Sequence, residues 1–400
     1  MKLSKRFLAV VLVVLMVFSM AGCADNSQGA EENTDTEESK EPIKVGFFAP
    51  TTGPVAADGE NSLNAAKLAV ENINASGGID GREVVLVDYD DAFDTKQSVS
   101  VAQKLTTKDN VIAVVSGSYS GTTRAAAPVY QDAGIPMIAS YAIHPDITKT
   151  GDYIFRQSFV GSVQGRAGGK VAVDMLGAKK ISILYVDNDF GTTLSESFTE
   201  MAESLGAEII STDKFSFGEK EFTPILTKIK QLDADLLYLP AYPGEGSQIV
   251  RQARDLGLGL QIMGTEGIDA TVQFIGVAGE AAENVIITTN LNRDSDREIV
   301  QEFISTFTEK YGYRPNMVAA STYDAFTVLF NVMKQTGVDS EAIKDGLHEI
   351  KDIEAVTGII KGYNSLGEVE KTVQVQIIRD GQFHYYGEIS DENIIKPPTE

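Results

Sequence analysis

A repeated alternation of short apolar segments with amphipathic ones restricts the fold of this chain more than any other feature. In the first part of the chain it predicts strands at 43–50, 83–90, 111–117 and 136–140. Helices are predicted between them at 61–78, 96–109 and 122–134. Strands that are apolar along most of their length and are each followed by a helix are typical of a parallel sheet covered on both faces. The sequence therefore predicts an α/β fold.

The same alternation starts again near residue 164, which predicts a second doubly wound unit built like the first. After residue 285, the pattern predicts two long helices and a strand-rich end. Because this segment is long, it suggests that the chain returns to the first unit. We therefore expect two lobes joined by several crossings, with a cleft between them. In open α/β sheets, ligands bind beyond the carboxyl ends of the strands. The loops expected to line the cleft are 50–59, 116–123, 139–146, 187–192, 240–246 and 264–269.

The first residues of the chain have the pattern of an export signal. Three basic residues precede twelve uninterrupted apolar residues, Phe7 to Phe18, a run too short to span a bilayer. The segment "SMAGC" then ends on Cys23, the only cysteine, and closely resembles a bacterial lipobox. This predicts cleavage before Cys23 and acylation of that residue. Stable anchoring needs more than one acyl chain, as such a modification supplies.

The composition after the predicted anchor excludes several classes of partner. Residues 24–41 contain seven acids, one lysine and no large apolar residue, which predicts a disordered tether. Removal of the three basic residues of the signal changes the formal net charge from -23 to -26. Such acidity argues against binding to nucleic acid or to anionic lipid headgroups. With one cysteine, no intramolecular disulfide can form.

The run "VSGSYSGTTR", residues 115–124, raises the question of function, because it follows a buried strand with many hydroxyls and glycines. Such groups would be needed by a serine nucleophile, by a phosphate-binding loop or by a binding site for another anion. Tyr119 stands where the G-x-S-x-G elbow has its serine, and the chain has only three histidines. Walker A and a complete G-x-G-x-x-G are missing. The sequence thus argues against an enzyme and favours an anion at the start of the following helix.

The acidic run "DYDDAFD", residues 88–94, lacks the spacing and the glycine of an EF-hand. We interpret it as a solvated loop that ends a strand. No metal and no cofactor are therefore expected.

Five fragments, in the right order, resemble the extracytoplasmic amino-acid-binding proteins of ABC importers, specifically the branched-chain and amide-type family. The resemblance extends over residues 43–390, and its fragments lie at 45–60, 72–99, 130–140, 241–257 and 262–269. It implies the α/β type I periplasmic-binding-protein fold, with two Rossmann-like lobes, a cleft between them and three hinge crossovers. It also implies one ligand enclosed by closure of the lobes.

The resemblance also assigns roles to individual residues. Ser120 matches the serine that holds the ligand's α-carboxylate, and Tyr242 matches a tyrosine that reaches the same carboxylate from the other lobe. Glu266 matches the acid that receives the ligand's ammonium. The remaining positions that match ligand contacts are Tyr119, Tyr141, Ala142, Ile143, Phe190 and Asp58.

Several of these positions depart from the family pattern. Ile143 replaces a threonine, so only its backbone can contact the ligand, and Tyr141 replaces a small residue. Phe190 stands where a tyrosine is usual, and Tyr119 and Phe93 stand where relatives pair two cysteines.

Asp58 occupies a position that is usually aromatic and near the ligand's side chain. A carboxylate among aromatic rings suggests a pocket for a cationic or polar side chain. In the alternative, Asp58 turns to solvent and the pocket takes aliphatic or aromatic amino acids.

The resemblance implies a lipid-anchored monomer that delivers an amino acid to an ABC permease, with the membrane contacted through Cys23. Two alternatives remain: an amino-acid or amide sensor with the same fold, and a lipoprotein hydrolase. The predicted segments are a signal peptide (1–22), a tether (23–42), an N-terminal lobe (43–160 and 290–368), a C-terminal lobe (161–289 and 369–392) and a tail (393–400).

Overall fold

A five-stranded parallel sheet forms the core of the first part of the chain. The computed structural model describes residues 41–399, so Cys23, the predicted signal peptide and nearly all of the tether lie outside the described residues. The strand order is β2-β1-β3-β4-β5. The bounds are β1 Ile43–Ala49, β2 Val84–Asp90, β3 Ala113–Ser116, β4 Met137–Ala139 and β5 Ile154–Arg156.

A seven-stranded sheet forms the second core, in the order β14-β13-β10-β9-β8-β6-β7. The strands β6 to β10 are parallel, as predicted, whereas β13 is antiparallel to both of its neighbours. The bounds are β6 Lys180–Val186, β7 Glu208–Phe215, β8 Leu236–Leu239, β9 Gln261–Gly264, β10 Ile286–Thr289, β13 Val373–Arg379 and β14 Gln382–Ile389. A separate two-stranded ribbon consists of β11 Ile353–Ala355 and β12 Gly358–Ile360.

Helices surround both sheets. They are α1 Ala56–Ala75, α2 Thr95–Lys104, α3 Ser120–Ala133, α4 Gly161–Lys170, α5 Asp189–Ser204, α6 Thr223–Gln231, α7 Pro243–Asp255, α8 Gly276–Ala278, α9 Glu298–Tyr311, α10 Met317–Thr336, α11 Ser340–Glu349 and α12 Glu392–Ile395. Short 3-10 turns include Pro145–Thr150 and Glu266–Ile268. Within residues 41–399, none of the helices has the length and apolarity needed to cross a membrane.

The chain passes between the two sheets three times: after β5, after β10 and between β12 and β13. Between the last two passages, α9, α10 and α11 pack with the first sheet, and α10 lies against α1. We call the first sheet with α1–α3 and α9–α11 the first lobe, and the second sheet with α4–α8 and α12 the second lobe. This is the predicted α/β architecture of two lobes, although the lobe boundaries that we gave by residue number stay predictions.

The helix α1 begins five residues earlier than the sequence pattern predicts. The first turn of α1 lies against the Pro50 carbonyl, and this close approach is possible because Gly59 has no side chain. The early start places Asp58 within the first helical turn instead of in a loop. An acidic residue is favoured there because the helix N-terminus carries partial positive charge.

The segment predicted as a tail from residue 393 is docked on the second lobe. It contains most of α12, whose Ile394 and Ile395 are buried in the second-lobe core. The Arg166 guanidinium donates hydrogen bonds to the carbonyl oxygens of Ile394 and Lys396. Burial of these apolar side chains favours the packing of this segment on the second lobe.

Candidate functional site

Both lobes contribute side chains to one cavity. Eight of the nine predicted ligand contacts line it: Asp58, Tyr119, Ser120, Tyr141, Ala142, Phe190, Tyr242 and Glu266. The other lining residues are Pro243, Gly267, Asp269, Ala270, Asn316, Met317 and Val318.

Ser120 lies at the first position of α3, directly after β3. Tyr119 precedes it in extended conformation, so the helix begins where the strand of the first sheet ends. The first turn of a helix leaves N–H groups without intrahelical partners, and the helix dipole adds partial positive charge there. This end of the cavity is therefore suited to an anion such as a carboxylate.

The loop before α3 is held by a buried carboxylate that the sequence analysis misread. Asp91 is fully buried and accepts a hydrogen bond of 2.5 Å from the Ser118 hydroxyl. Its other oxygen accepts from the Phe93 backbone N–H. Burial raises the pKa of Asp91 to about 6, an effect that these hydrogen bonds partly offset. The prediction that 88–94 is a solvated loop is wrong for Asp91, because the contact that buries it comes from a segment 27 residues later.

Ile143 is the one predicted contact that the structure does not bring to the cavity. Its backbone N–H donates to the Ser120 hydroxyl oxygen at 3.2 Å, and its carbonyl accepts from the Gly161 N–H at 2.8 Å. The side chain is buried in the core between the lobes. Both backbone groups thus already make a hydrogen bond within the protein, and the backbone contact with a ligand stays a prediction.

Glu266 enters the cavity from the second lobe without any neutralising partner. It begins the 3-10 turn that follows β9, and it is 5% exposed. Neither carboxylate oxygen has a hydrogen-bond partner among the residues that the structure describes. Burial therefore raises the pKa of Glu266 well above its usual value, and the nearby Asp269 carboxylate adds to this effect. A buried carboxylate of this kind needs a cation or a donor from outside the protein.

Aromatic rings close the cavity across the interface between the lobes. The Tyr119 ring of the first lobe meets the Tyr242 ring of the second at 5.1 Å and 85°. Phe190 stacks on Tyr242 at 5.1 Å, and the Asn188 side-chain amide donates to the Tyr242 hydroxyl at 3.1 Å. The rings of Phe93 and Tyr119 are in edge contact at 5.2 Å. The lobes are therefore closed in this structure.

Asp58 faces the cavity and does not turn to solvent. Its two oxygens accept one hydrogen bond each, from the Tyr119 hydroxyl at 2.6 Å and from the Asn316 amide at 2.9 Å. Burial raises the pKa of Asp58, and these two hydrogen bonds lower it in part. Sequence reasoning missed Asn316. The available signal was its position directly before the long helix α10, which it caps through the Ala319 N–H.

Asp269 also lines the cavity, but its charge is compensated. The Arg293 guanidinium forms a buried ion pair with it, and the Thr289 hydroxyl donates to it at 2.6 Å. Arg293 belongs to the crossing segment after β10. Asp269 therefore connects the Glu266 loop to a hinge and offers little free negative charge to a ligand.

The two lobes, with a cavity that both of them line, define a bilobed solute-binding protein. The chain belongs to the periplasmic binding protein family, whose sequence profile matches residues 42–382. A Leu/Ile/Val-binding protein of Citrobacter freundii is 36% identical over 253 residues, which is 63% of this chain and 68% of that protein. A leucine-, isoleucine-, valine-, threonine- and alanine-binding protein of Pseudomonas aeruginosa is 29% identical over 92% of this chain and 93% of its own.

Solved structures show the same fold. A branched-chain amino acid transporter substrate-binding protein of Streptococcus pneumoniae, in complex with isoleucine, has a TM-score of 0.82 and 32% identity over 87% of this chain and 99% of its own. A solute-binding protein of Rhodopseudomonas palustris with bound 3,4-dihydroxybenzoic acid has a TM-score of 0.81 at 24% identity, over 89% of this chain and 99% of its own. These relatives are solute-binding proteins of ABC transporters, so the predicted family, fold class and absence of enzymatic function are confirmed.

Proposed function

We propose that this protein captures an amino acid between its lobes and delivers it to an ABC importer permease. The observation that carries the proposal is the buried carboxylate of Glu266, which has no hydrogen-bond partner among residues 41–399 and lies in the same cavity as the N-terminus of α3. The first group suits an ammonium, and the second suits a carboxylate. An α-amino acid carries both charges on one carbon atom.

The expected affinity follows from the number of charge-assisted hydrogen bonds. Each such bond contributes about 1.5–3 kcal/mol net. Three or four of them, from Glu266, Ser120, the α3 amides and the Tyr242 hydroxyl, reach the ~8 kcal/mol of a micromolar site. A ligand that touches both lobes binds the closed state better than the open one, and it therefore shifts the equilibrium toward closure.

The cellular part of the proposal rests on the sequence pattern and on the relatives. We propose that the protein works outside the cytoplasm as a monomer and is held at the membrane by a lipid on Cys23. The closed form then docks on a permease. An amino-acid sensor with the same fold is the alternative, and uptake of labelled amino acid in a strain lacking the gene separates the two functions, because a sensor is not needed for transport itself.

Ligand analogues test the site directly. For the amino acid that binds best in calorimetry, the 2-hydroxy acid and the methyl ester are each expected to bind at least about tenfold more weakly, since each loses one charged contact. The free amino acid measured in the same titration series is the reference. Tighter binding of 3,4-dihydroxybenzoate, which has no ammonium, than of any amino acid would contradict the proposal.

An ion pair that joins the lobes gives a second test. Arg124 of α3 and Asp189 of α5 lie 2.7 Å apart, with side chains 42% and 33% exposed. Loss of this exposed pair in Arg124→Ala is expected to weaken binding by up to about fivefold, and the loss should shrink in high salt.

The matched control for this variant is Lys228→Ala. It breaks an ion pair of the same length, 2.7 Å, but with Asp213 in the same lobe. The role in closure is ruled out if both variants weaken binding equally, or if salt leaves the effect of Arg124→Ala unchanged.

A further inference from the structure

We propose that Asp58, held by Tyr119 and Asn316, forms a subsite for an N–H or O–H donor on the ligand's side chain. The bound amino acid then has a polar or cationic side chain. This inference rests on the amino-acid function proposed above and adds the chemical class of the ligand.

The free hydrogen-bonding capacity of Asp58 is the first argument. An ionised carboxylate has about four acceptor sites, and the protein fills two of them, through the Tyr119 hydroxyl and the Asn316 amide. Asp58 is 8% exposed and lines the cavity, so a ligand bound there can reach its remaining acceptor capacity. Asn316 is itself fixed as the cap of α10, and Tyr119 as the residue before α3, so the carboxylate is presented by two rigid helix ends.

The charge balance of the cavity is the second argument. Its lining includes three carboxylates, and among the described residues that line it none is Lys, Arg or His. Asp269 is neutralised by Arg293, which leaves Asp58 and Glu266. The α-ammonium of an amino acid compensates Glu266 alone, while the ligand's carboxylate is compensated at the α3 N-terminus. The group left to compensate Asp58 is therefore a hydrogen-bond donor on the ligand's side chain.

The cost of the wrong ligand is the third argument. An aliphatic side chain would displace water from Asp58 and return no hydrogen bond, so the buried carboxylate would stay underpaired. Sites built to bind a polar group reject analogues that lack it by large factors. The Tyr119 and Tyr141 rings beside the carboxylate provide the apolar wall along which the stem of such a side chain can lie, and their faces also attract cations.

Pairs of amino acids of similar shape test the subsite by calorimetry: threonine against valine, asparagine against leucine, and lysine against norleucine. We expect the donor-bearing member of at least one pair to bind at least tenfold more tightly than its aliphatic partner. Asp58→Leu is expected to abolish that preference. The control Glu60→Gln removes an exposed carboxylate from the same helix and should keep the preference.

Each outcome of this test separates the two proposals. Tight binding of valine or leucine, with no preference for a donor, overturns the subsite and leaves the amino-acid function standing. A preference that persists in Asp58→Leu also overturns the subsite. If no amino acid binds, both proposals fail. Thermal unfolding of each variant shows that it is folded, and Asp58→Asn, which preserves shape, is the second variant if Asp58→Leu does not fold.

Discussion

Replacement of Glu266 by glutamine is expected to weaken amino-acid binding about 100-fold or more while leaving the fold intact. In the proposed complex this carboxylate compensates the ligand's ammonium through a charge-assisted contact of up to about 3 kcal/mol, and glutamine carries no charge to replace it. The ligand-free protein loses nothing in exchange, because neither oxygen of Glu266 has a partner within residues 41–399. Calorimetry and thermal unfolding measure the two effects separately.

The same residue makes binding depend on pH. Because burial raises the pKa of Glu266 well above its usual value, the carboxyl holds a proton in the ligand-free protein at pH values where it is normally ionised. Affinity is therefore expected to fall as the pH is lowered through this raised pKa. In that window the ligand-free fold binds more protons than the unfolded chain, so the contribution of Glu266 to stability falls as pH rises.

Two controls accompany this prediction. Glu266→Gln should abolish both pH effects, while Glu280→Gln, which removes an exposed carboxylate of the same lobe, should alter neither. Binding of an amino acid by Glu266→Gln with unchanged affinity would show that the ammonium lies elsewhere.

Replacement of Arg156 by methionine is expected to cost about 3–5 kcal/mol of unfolding free energy, the loss typical of breaking a buried ion pair. Arg156 is fully buried on β5, and its Nε donates to the Glu368 carboxylate at 2.8 Å. Its guanidinium also donates to the carbonyl oxygens of Ala142 and His144. Methionine would leave the buried Glu368 carboxylate without its charged partner, with the Thr148 hydroxyl as its remaining side-chain donor, and the Ala142 carbonyl would lose its bond from the guanidinium. Urea unfolding measures the loss.

The Arg156–Glu368 pair also connects the site to a hinge. Glu368 lies on the crossing segment before β13, and Ala142 lines the cavity, so weaker ligand binding is expected alongside lower stability. The double variant Arg156→Met, Glu368→Met should lose less than the sum of the single losses by about 0.5–3 kcal/mol. Lys361→Met, which breaks an exposed pair with Asp352, should cost no more than about 1 kcal/mol. A loss as small as this for Arg156→Met would rule out the structural role of the pair.

The order of strands and helices could be predicted from local patterns, since burial on both faces produces continuous apolar strands. The position expected to bind an anion was also predicted from a local sequence pattern. A strand followed by glycines and hydroxyls indicated the start of α3, which the structure places at Ser120. The roles of Tyr242 and Glu266 came from the resemblance to a family, and the structure brings both residues to one cavity with Ser120.

The predictions that failed depend on contacts between distant segments. The interpretation of residues 88–94 as solvated was wrong for Asp91, because the contact with Ser118 buries this carboxylate. The early start of α1 depends on packing against Pro50, which no pattern in the helix itself reveals.

The sequence by itself determined the α/β class, the second set of strands, the start of α3 and the acidic, histidine-poor composition that argues against catalysis. Periodicity and composition act over a few neighbouring residues, so they can be read along the chain. The tertiary structure alone decided which charges are compensated. Asp58 meets Asn316 across 258 residues of chain, Arg156 meets Glu368 across 212, and Glu266 meets no partner within the described residues. Such pairings follow from which segments the fold brings together, because a side chain's electrostatic environment is set by its neighbours in space.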